Sequence, residues 1–219
     1  MKELLTHSRD GVTVPALLTK PTGFDRARES LPLILFLHGI GERGEDIREG
    51  RVIHGFTEHF IADQDYHGLR VLTLTPQCPM TTVWMHLIPL LKELTDRVVA
   101  ETNADRDRIT VTGLSMGGFG TWDMLQTYPD YFAAGAPLCG GGLPWNMEAL
   151  KNVPVRAYHG TEDDAVPCGA SVYMVEALRR AGGDVSFTGM PGYGHDIWTD
   201  VYGKTDLIEW LAAAKRKGN

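Results

Sequence analysis

No apolar run in this 219-residue chain approaches the roughly 18 residues that span a bilayer. The amino-terminal MKELLTHSRDG holds no apolar stretch of the kind found in secretory signals. The expectation is a cytoplasmic protein without a membrane span. Cysteine is scarce: Cys78, Cys139 and Cys168 make an odd count with no C-x-x-C pair. That argues against a disulfide framework or a zinc site and reads as buried, reduced thiols. Basic charge is outnumbered, 21 Lys and Arg against 28 Asp and Glu, for a net −7. A nucleic-acid binder carries a basic face, and the one basic cluster, Lys215-Arg216-Lys217, ends a predicted helix where cations suit the macrodipole. There is no H-E-x-x-H and no dense His/Asp cluster, so no metal is expected. The triple glycine Gly140–Gly142 has no Lys-Ser/Thr after it and is not a phosphate loop. No internal repeat or low-complexity stretch is present.

What remains is globular: 43% hydrophobic, 22% charged, with 25 glycines for tight turns and close backbone approaches. Residues 1–219 are expected to form one domain, burying roughly 70% of the extended-chain surface without a staple. Residues 3–20 alternate around Arg9-Asp10-Gly11 and predict an opening hairpin. The polar, proline-flanked segment 21–32 reads as a loop. Six short apolar runs follow, at 33–39, 71–76, 109–113, 132–138, 155–160 and 185–191, each ending in Gly, Pro or a polar turn. Such runs suit strands buried on both faces. Helices are predicted between and after them, at about 54–64, 86–102, 116–128, 168–182 and 200–216. In the second of these, Leu87, Leu90, Leu91, Leu94, Val98 and Val99 keep helical spacing. Strand–helix alternation predicts an α/β fold with a mostly parallel sheet and helices on both faces, whose ligand site lies at the carboxyl ends of the strands.

The loop after strand 109–113 reads Gly113-Leu114-Ser115-Met116-Gly117-Gly118. A serine in G-x-S-x-G, between a strand and a helix, sits on a sharp turn that needs small neighbours and lifts the hydroxyl above the sheet. With five serines and 25 glycines in the chain, about 0.07 such matches arise by chance, so the flanking elements carry the signal. A nucleophilic serine needs a base and an orienting acid. Of eight histidines only His159 and His195 follow Ser115. His159 closes a strand before any suitable acid, whereas His195 sits in the loop Gly192-Tyr193-Gly194-His195-Asp196 and is the candidate base. The acid is expected in Gly160–Pro167, where Glu162, Asp163 and Asp164 compete; their residue types do not separate Asp163 from Asp164. Two backbone N–H groups must face the developing oxyanion, and Met116, after the serine, and Ile40, in the loop after strand 33–39, are the candidates. His38 precedes the serine and reads as structural. Glu42, Arg43, Glu45 and Asp46 read as a solvated face. Trp84 and Trp198 are candidates for lining a substrate pocket. Trp122, behind the serine on its helix, reads as core.

Taken in order, LFLHGIGERGED, TPQCP, ITVTGLSMGGFGTW, PLCGGG, HGTEDDAVP and GYGHDIW resemble the α/β-hydrolase superfamily. More narrowly they resemble its phospholipase/carboxylesterase branch, with relatives described as predicted peptidases or polyhydroxybutyrate-depolymerase-like esterases. The matching blocks run from about residue 33 to 200. The family pattern H-G-x-x-D-x-x-V-P places the acid on Asp163, framed by His159, Gly160, Val166 and Pro167. The resemblance implies a serine esterase acting on a small-molecule ester, needing no cofactor, through Ser115, His195 and Asp163. Peptidases and thioesterases share such a triad. A non-catalytic binding protein of this fold would normally lose a member, and this chain keeps all three. The 14 residues 139–152 are too few for the cap domain often inserted there, so a shallow cleft and short-chain esters are expected.

Overall fold

The computed structural model describes residues 1–45, 47 and 68–216. The chain opens with the hairpin β1 (Lys2–Arg9) and β2 (Val12–Thr19), paired antiparallel across a two-residue turn at Asp10-Gly11. Six further strands complete one sheet: β3 (Leu33–Leu37), β4 (Leu72–Pro76), β5 (Ile109–Leu114), β6 (Ala134–Leu138), β7 (Val155–Gly160) and β8 (Val185–Met190). Their order is β1-β2-β4-β3-β5-β6-β7-β8. Only the hairpin runs antiparallel to its neighbours, so β3 to β8 present their carboxyl ends on one edge. This is the arrangement the strand–helix alternation predicted.

The unbroken apolar run of β3 has a direct physical cause. Leu33, Leu35 and Leu37 pack into one core and Ile34 and Phe36 into the other, and all five are fully buried. A central strand covered on both faces has no face left for polar residues. The first core lies under α1 (Ile88–Thr102), α2 (Met116–Thr127) and α3 (Gly169–Arg180); Leu90, Leu91, Leu94, Val98 and Val99 of α1 all join it. Trp122 is buried in the same layer.

The second core is closed by α4 (Trp198–Lys204) and α5 (Leu207–Ala213). The sequence predicted one helix over 200–216, and the structure divides it. Thr205 is extended (φ −115°, ψ 173°); its hydroxyl bonds the Val201 carbonyl at 2.6 Å and accepts the Leu207 N–H at 3.2 Å. That side chain replaces the helical ladder and restarts it. β8 also differs from the expected double burial. It is the edge strand, and its residues alternate between exposed and half-buried. The predicted helix at 54–64 lies outside the described residues. Among the described residues no helix is long and apolar enough to cross a membrane.

Candidate active site

Ser115 stands between the end of β5 and the first turn of α2 with φ 54° and ψ −119°. This backbone region is strained for any residue with a Cβ. The strain lets α2 start directly against the neighbouring strand: a Cβ on Gly117 would lie 1.8 Å from the Leu37 carbonyl oxygen. Only glycine tolerates that approach, which is the physical content of the G-x-S-x-G spacing. The Ser115 N–H bonds the Leu138 carbonyl at 3.0 Å and pins the turn to β6.

His195 reaches the serine from the loop after β8. Its Nε2 lies 2.9 Å from Ser115 Oγ and its Nδ1 2.7 Å from Asp163 Oδ2. A carboxylate only accepts, so Nδ1 carries the proton and Nε2 is free to accept from the serine hydroxyl. The fold brings Asp163 to His195 and leaves Glu162 and Asp164 exposed. Burial alone would raise the Asp163 carboxyl; the His195 contact and the N–H groups of Val166 and Ala165 outweigh it, and the group lies below the ordinary carboxylate value. The acid and base loops meet backbone to backbone. Glu162 N–H bonds the Tyr193 carbonyl at 2.9 Å, and a Cβ on Gly160 would lie 2.1 Å from the Gly194 carbonyl oxygen.

Met116 is the first residue of α2, and Ile40 opens a 3₁₀ turn over Ile40–Glu42. Each N–H therefore lacks a preceding turn to bond to and is free to face a ligand. His38 is fully buried. Its Nε2 accepts the Cys78 N–H at 3.0 Å, and its Nδ1 donates to the Gly39 carbonyl at 2.6 Å. Burial lowers its pKa to about 4, so it is a neutral brace under the loop that carries Ile40.

Two expectations about this edge change. Trp84 does not line a pocket. It is fully buried, stacks edge-on against His38 at 4.9 Å, and donates its Nε1–H to the His38 carbonyl at 2.9 Å. The indole is a pillar beneath the site, so Trp84→Ala should cost about 3–5 kcal/mol of stability. A denaturant melt measures this; a midpoint equal to that of the parent would show that the indole carries no packing load. Arg43 is likewise not a solvated charge. Its guanidinium bonds the carbonyls of Ile40, Met80 and Thr82 and ties the loop after β3 to the loop after β4. Glu45 is exposed, Glu42 is partly buried, and Asp46 lies outside the described residues. Trp198, half-buried at the start of α4, meets the His195 ring edge-on at 5.6 Å.

Among the described residues the one group with metal-ligand spacing is Cys139, Asp163 and His195, within 4.8 Å of one another. Two of these already bond each other, and burial pushes the Cys139 thiol up to about 12, so the thiolate a metal requires is disfavoured. Cys78 is buried too, whereas Cys168 is part-exposed rather than buried as expected.

The sequence reading missed a groove of about 540 Å³ lined by Met85, Phe119, Asp123, Gly142, Leu143, Trp145 and Ala170. Phe119 and Asp123 follow Ser115 at four-residue steps along α2, one stripe of a helix. That stepping was the available signal. The wall opposite, Leu143 and Trp145, is 74% and 61% exposed, and its position depends on how the loop after β6 folds. Burial raises the Asp123 carboxyl.

Residues 77–209, more than half the chain, match the phospholipase/carboxylesterase family. A thermostable esterase of known structure superposes with a TM-score of 0.90 at 31% identity, covering 98% of this chain and 63% of its own. An acylaminoacyl peptidase from Pyrococcus horikoshii shares the fold, with a TM-score of 0.72 at 15% identity over 100% of this chain and 42% of its own. The carboxylesterase SOBER1 of Arabidopsis thaliana is 31% identical over 109 residues, 47% of either protein. Poly(3-hydroxyalkanoate) depolymerase C of Paucimonas lemoignei is 47% identical over 51 residues, 23% of this chain and 12% of the depolymerase. The chain thus spans less than half the length of these two curated relatives. With the sheet order, the strained serine turn and the family match in agreement, this α/β-hydrolase chain belongs to the phospholipase/carboxylesterase family.

Proposed function

We propose that the protein hydrolyses carboxylic esters of small molecules through an acyl-enzyme on Ser115. The observation that carries this reading is the single imidazole, His195, in hydrogen-bond contact with both the Ser115 hydroxyl and the buried Asp163 carboxylate. Ser115 Oγ attacks the ester carbonyl while His195 Nε2 takes its proton. The imidazolium is stabilised by Asp163, and the N–H groups of Met116 and Ile40 receive the oxyanion. The tetrahedral adduct expels the alcohol, which takes the proton back from Nε2. Water then enters by the same base and releases the acid, and the enzyme is regenerated.

The groove beginning one helical turn beyond Ser115 supplies an apolar seat for the substrate. Each buried methylene contributes about 0.8 kcal/mol, close to fourfold in rate. Leu143 and Trp145, which line the groove, are largely exposed, so little of a longer chain would be buried there, and kcat/KM is expected to rise from acetyl to about butyryl esters and then flatten. Trp145→Ala should flatten the early rise more than it lowers the acetate rate. Because Asp123 is the one ionisable side chain among the described residues that line the groove, esters with a terminal carboxylate should lag behind neutral ones of equal length. A nitrophenyl ester series kept below micelle formation, run beside matched thioesters and anilides, tests the reading. A steady climb to long chains would refute the short seat, and faster thioester or anilide turnover would move the protein to another hydrolase class.

A further inference from the structure

We propose that His159 is a positioning residue for the reaction: a second imidazole, set beside the Asp163 oxygen that His195 uses, whose N–H holds the Val166 carbonyl and so keeps the acid turn in place. The proposal rests on the triad reading above, since it assigns His159 no contact with substrate.

The argument starts from burial. His159 ends β7, four residues before Asp163, and is fully buried. A buried imidazole must satisfy both ring nitrogens. Its Nε2 lies 2.9 Å from the Val166 carbonyl and 3.1 Å from Asp163 Oδ2. Both are acceptors, so Nε2 carries a proton, and its hydrogen bond goes to the Val166 carbonyl. Its Nδ1 lies 2.7 Å from Ser171 Oγ, which itself lies 2.6 Å from the Gly140 carbonyl. The ring is thus held from α3 and from the loop after β6, while it faces the acid turn.

The carboxylate that the ring stands beside is held on both oxygens. Oδ1 accepts the N–H groups of Ala165 at 2.9 Å and Val166 at 2.8 Å. Oδ2 has His195 Nδ1 at 2.7 Å and His159 Nε2 at 3.1 Å. A carboxylate offers about four lone-pair sites; among the described residues Ala165, Val166 and His195 hydrogen-bond to this one, and His159 stands beside Oδ2 with its proton on the Val166 carbonyl. The terminal torsion of aspartate is broad and nearly two-fold, so donors on both oxygens are needed to hold one plane. The Nε2 bond to Val166 also closes the turn Asp163–Val166 from the side that its own N–H groups do not reach. Without His159 the Val166 carbonyl loses its donor, the turn that supplies both N–H groups on Oδ1 loosens, and motion of the carboxylate would pass directly into the imidazole that must meet Ser115.

The test compares two substitutions with a spectroscopic measurement on the parent protein. In His159→Gln the amide can still donate to the Val166 carbonyl; in His159→Met the volume is kept and the donor lost. We expect His159→Gln to stay within about tenfold of the parent, and His159→Met to lose roughly 10² in kcat at nearly constant KM, the scale of a misplaced reacting group. Both should melt cooperatively. The low-field resonance of the His195 Nδ1 proton should persist in His159→Gln and shift or broaden in His159→Met. In the parent, ¹⁵N-resolved spectra should show a proton on His159 Nε2 in slow exchange with water. A folded His159→Met with parental kcat and an unchanged His195 resonance would overturn the proposal, as would His159→Gln falling as far as His159→Met. If His159→Met does not fold, the parental spectrum decides, and a bare Nε2 rejects the role. Failure of the triad reading looks different: an active Ser115→Ala, whatever the His159 variants do.

Discussion

Ser115→Ala should cut kcat by about 10⁴ to 10⁶ and leave the fold intact. The size of the effect follows from the role. Removing the hydroxyl removes the nucleophile, and what survives is the contribution of oriented N–H groups and substrate binding. The harmlessness to folding follows from the structure. Ser115 Oγ is bonded to His195 alone among the described residues, while the strained turn is held by the Ser115 N–H on Leu138 and by the glycine approach at Gly117. Alanine pays the same backbone strain as serine, because the Cβ is common to both. Rates on a nitrophenyl ester, a thermal melt and labelling by a fluorophosphonate together form the measurement. An alanine variant that still turns over, freed of parental enzyme, would put the nucleophile elsewhere. A parental protein inert to the label would indicate a binding protein on a hydrolase fold.

The second large effect is a comparison between adjacent residues. Asp163→Asn should lose about 10³ to 10⁴ in kcat, whereas Asp164→Asn should lose less than about tenfold. Asparagine at 163 keeps the volume but can offer His195 Nδ1 an amide donor, which favours the wrong tautomer and leaves no base for Ser115. Asp164 is exposed one residue away and its neutralisation reaches the site only as a weak, solvent-screened field. The Asp163 carboxyl, held below its ordinary value by its donors, adds a pH signature. A depressed folded-state value contributes stability above the unfolded carboxylate pKa, and that contribution is lost as pH falls through the folded one. The parent should therefore lose stability relative to Asp163→Asn on acidification below about pH 4. Reversed activities of the two variants would show the acid assigned one residue off.

The nucleophile and the sheet were legible in the sequence because both are local. A strand covered on two faces has to be apolar throughout, so β3 reads as LILFL. A serine turn between strand and helix needs glycine at 113 and 117, whichever partners later arrive. Chain order after Ser115 left His195 as the candidate base, and the family pattern singled out Asp163. The residue types alone left Asp163 and Asp164 equal, because both are loop carboxylates and only the direction of the turn buries one beside His195. Trp84 was misread for the same reason: an indole in a loop at the right edge of the sheet lines a cleft or supports it according to whether α2 packs over it. The division of the last helix hangs on one threonine hydroxyl, which periodicity does not register. The groove joins Met85, Phe119, Trp145 and Ala170 from four separate segments, and its fourth wall is a loop conformation. Local pattern therefore determined which elements form and which serine is activated; the tertiary structure decided which side chains around that serine are buried, paired or open to substrate, since burial and pairing are properties of neighbours far apart in the chain.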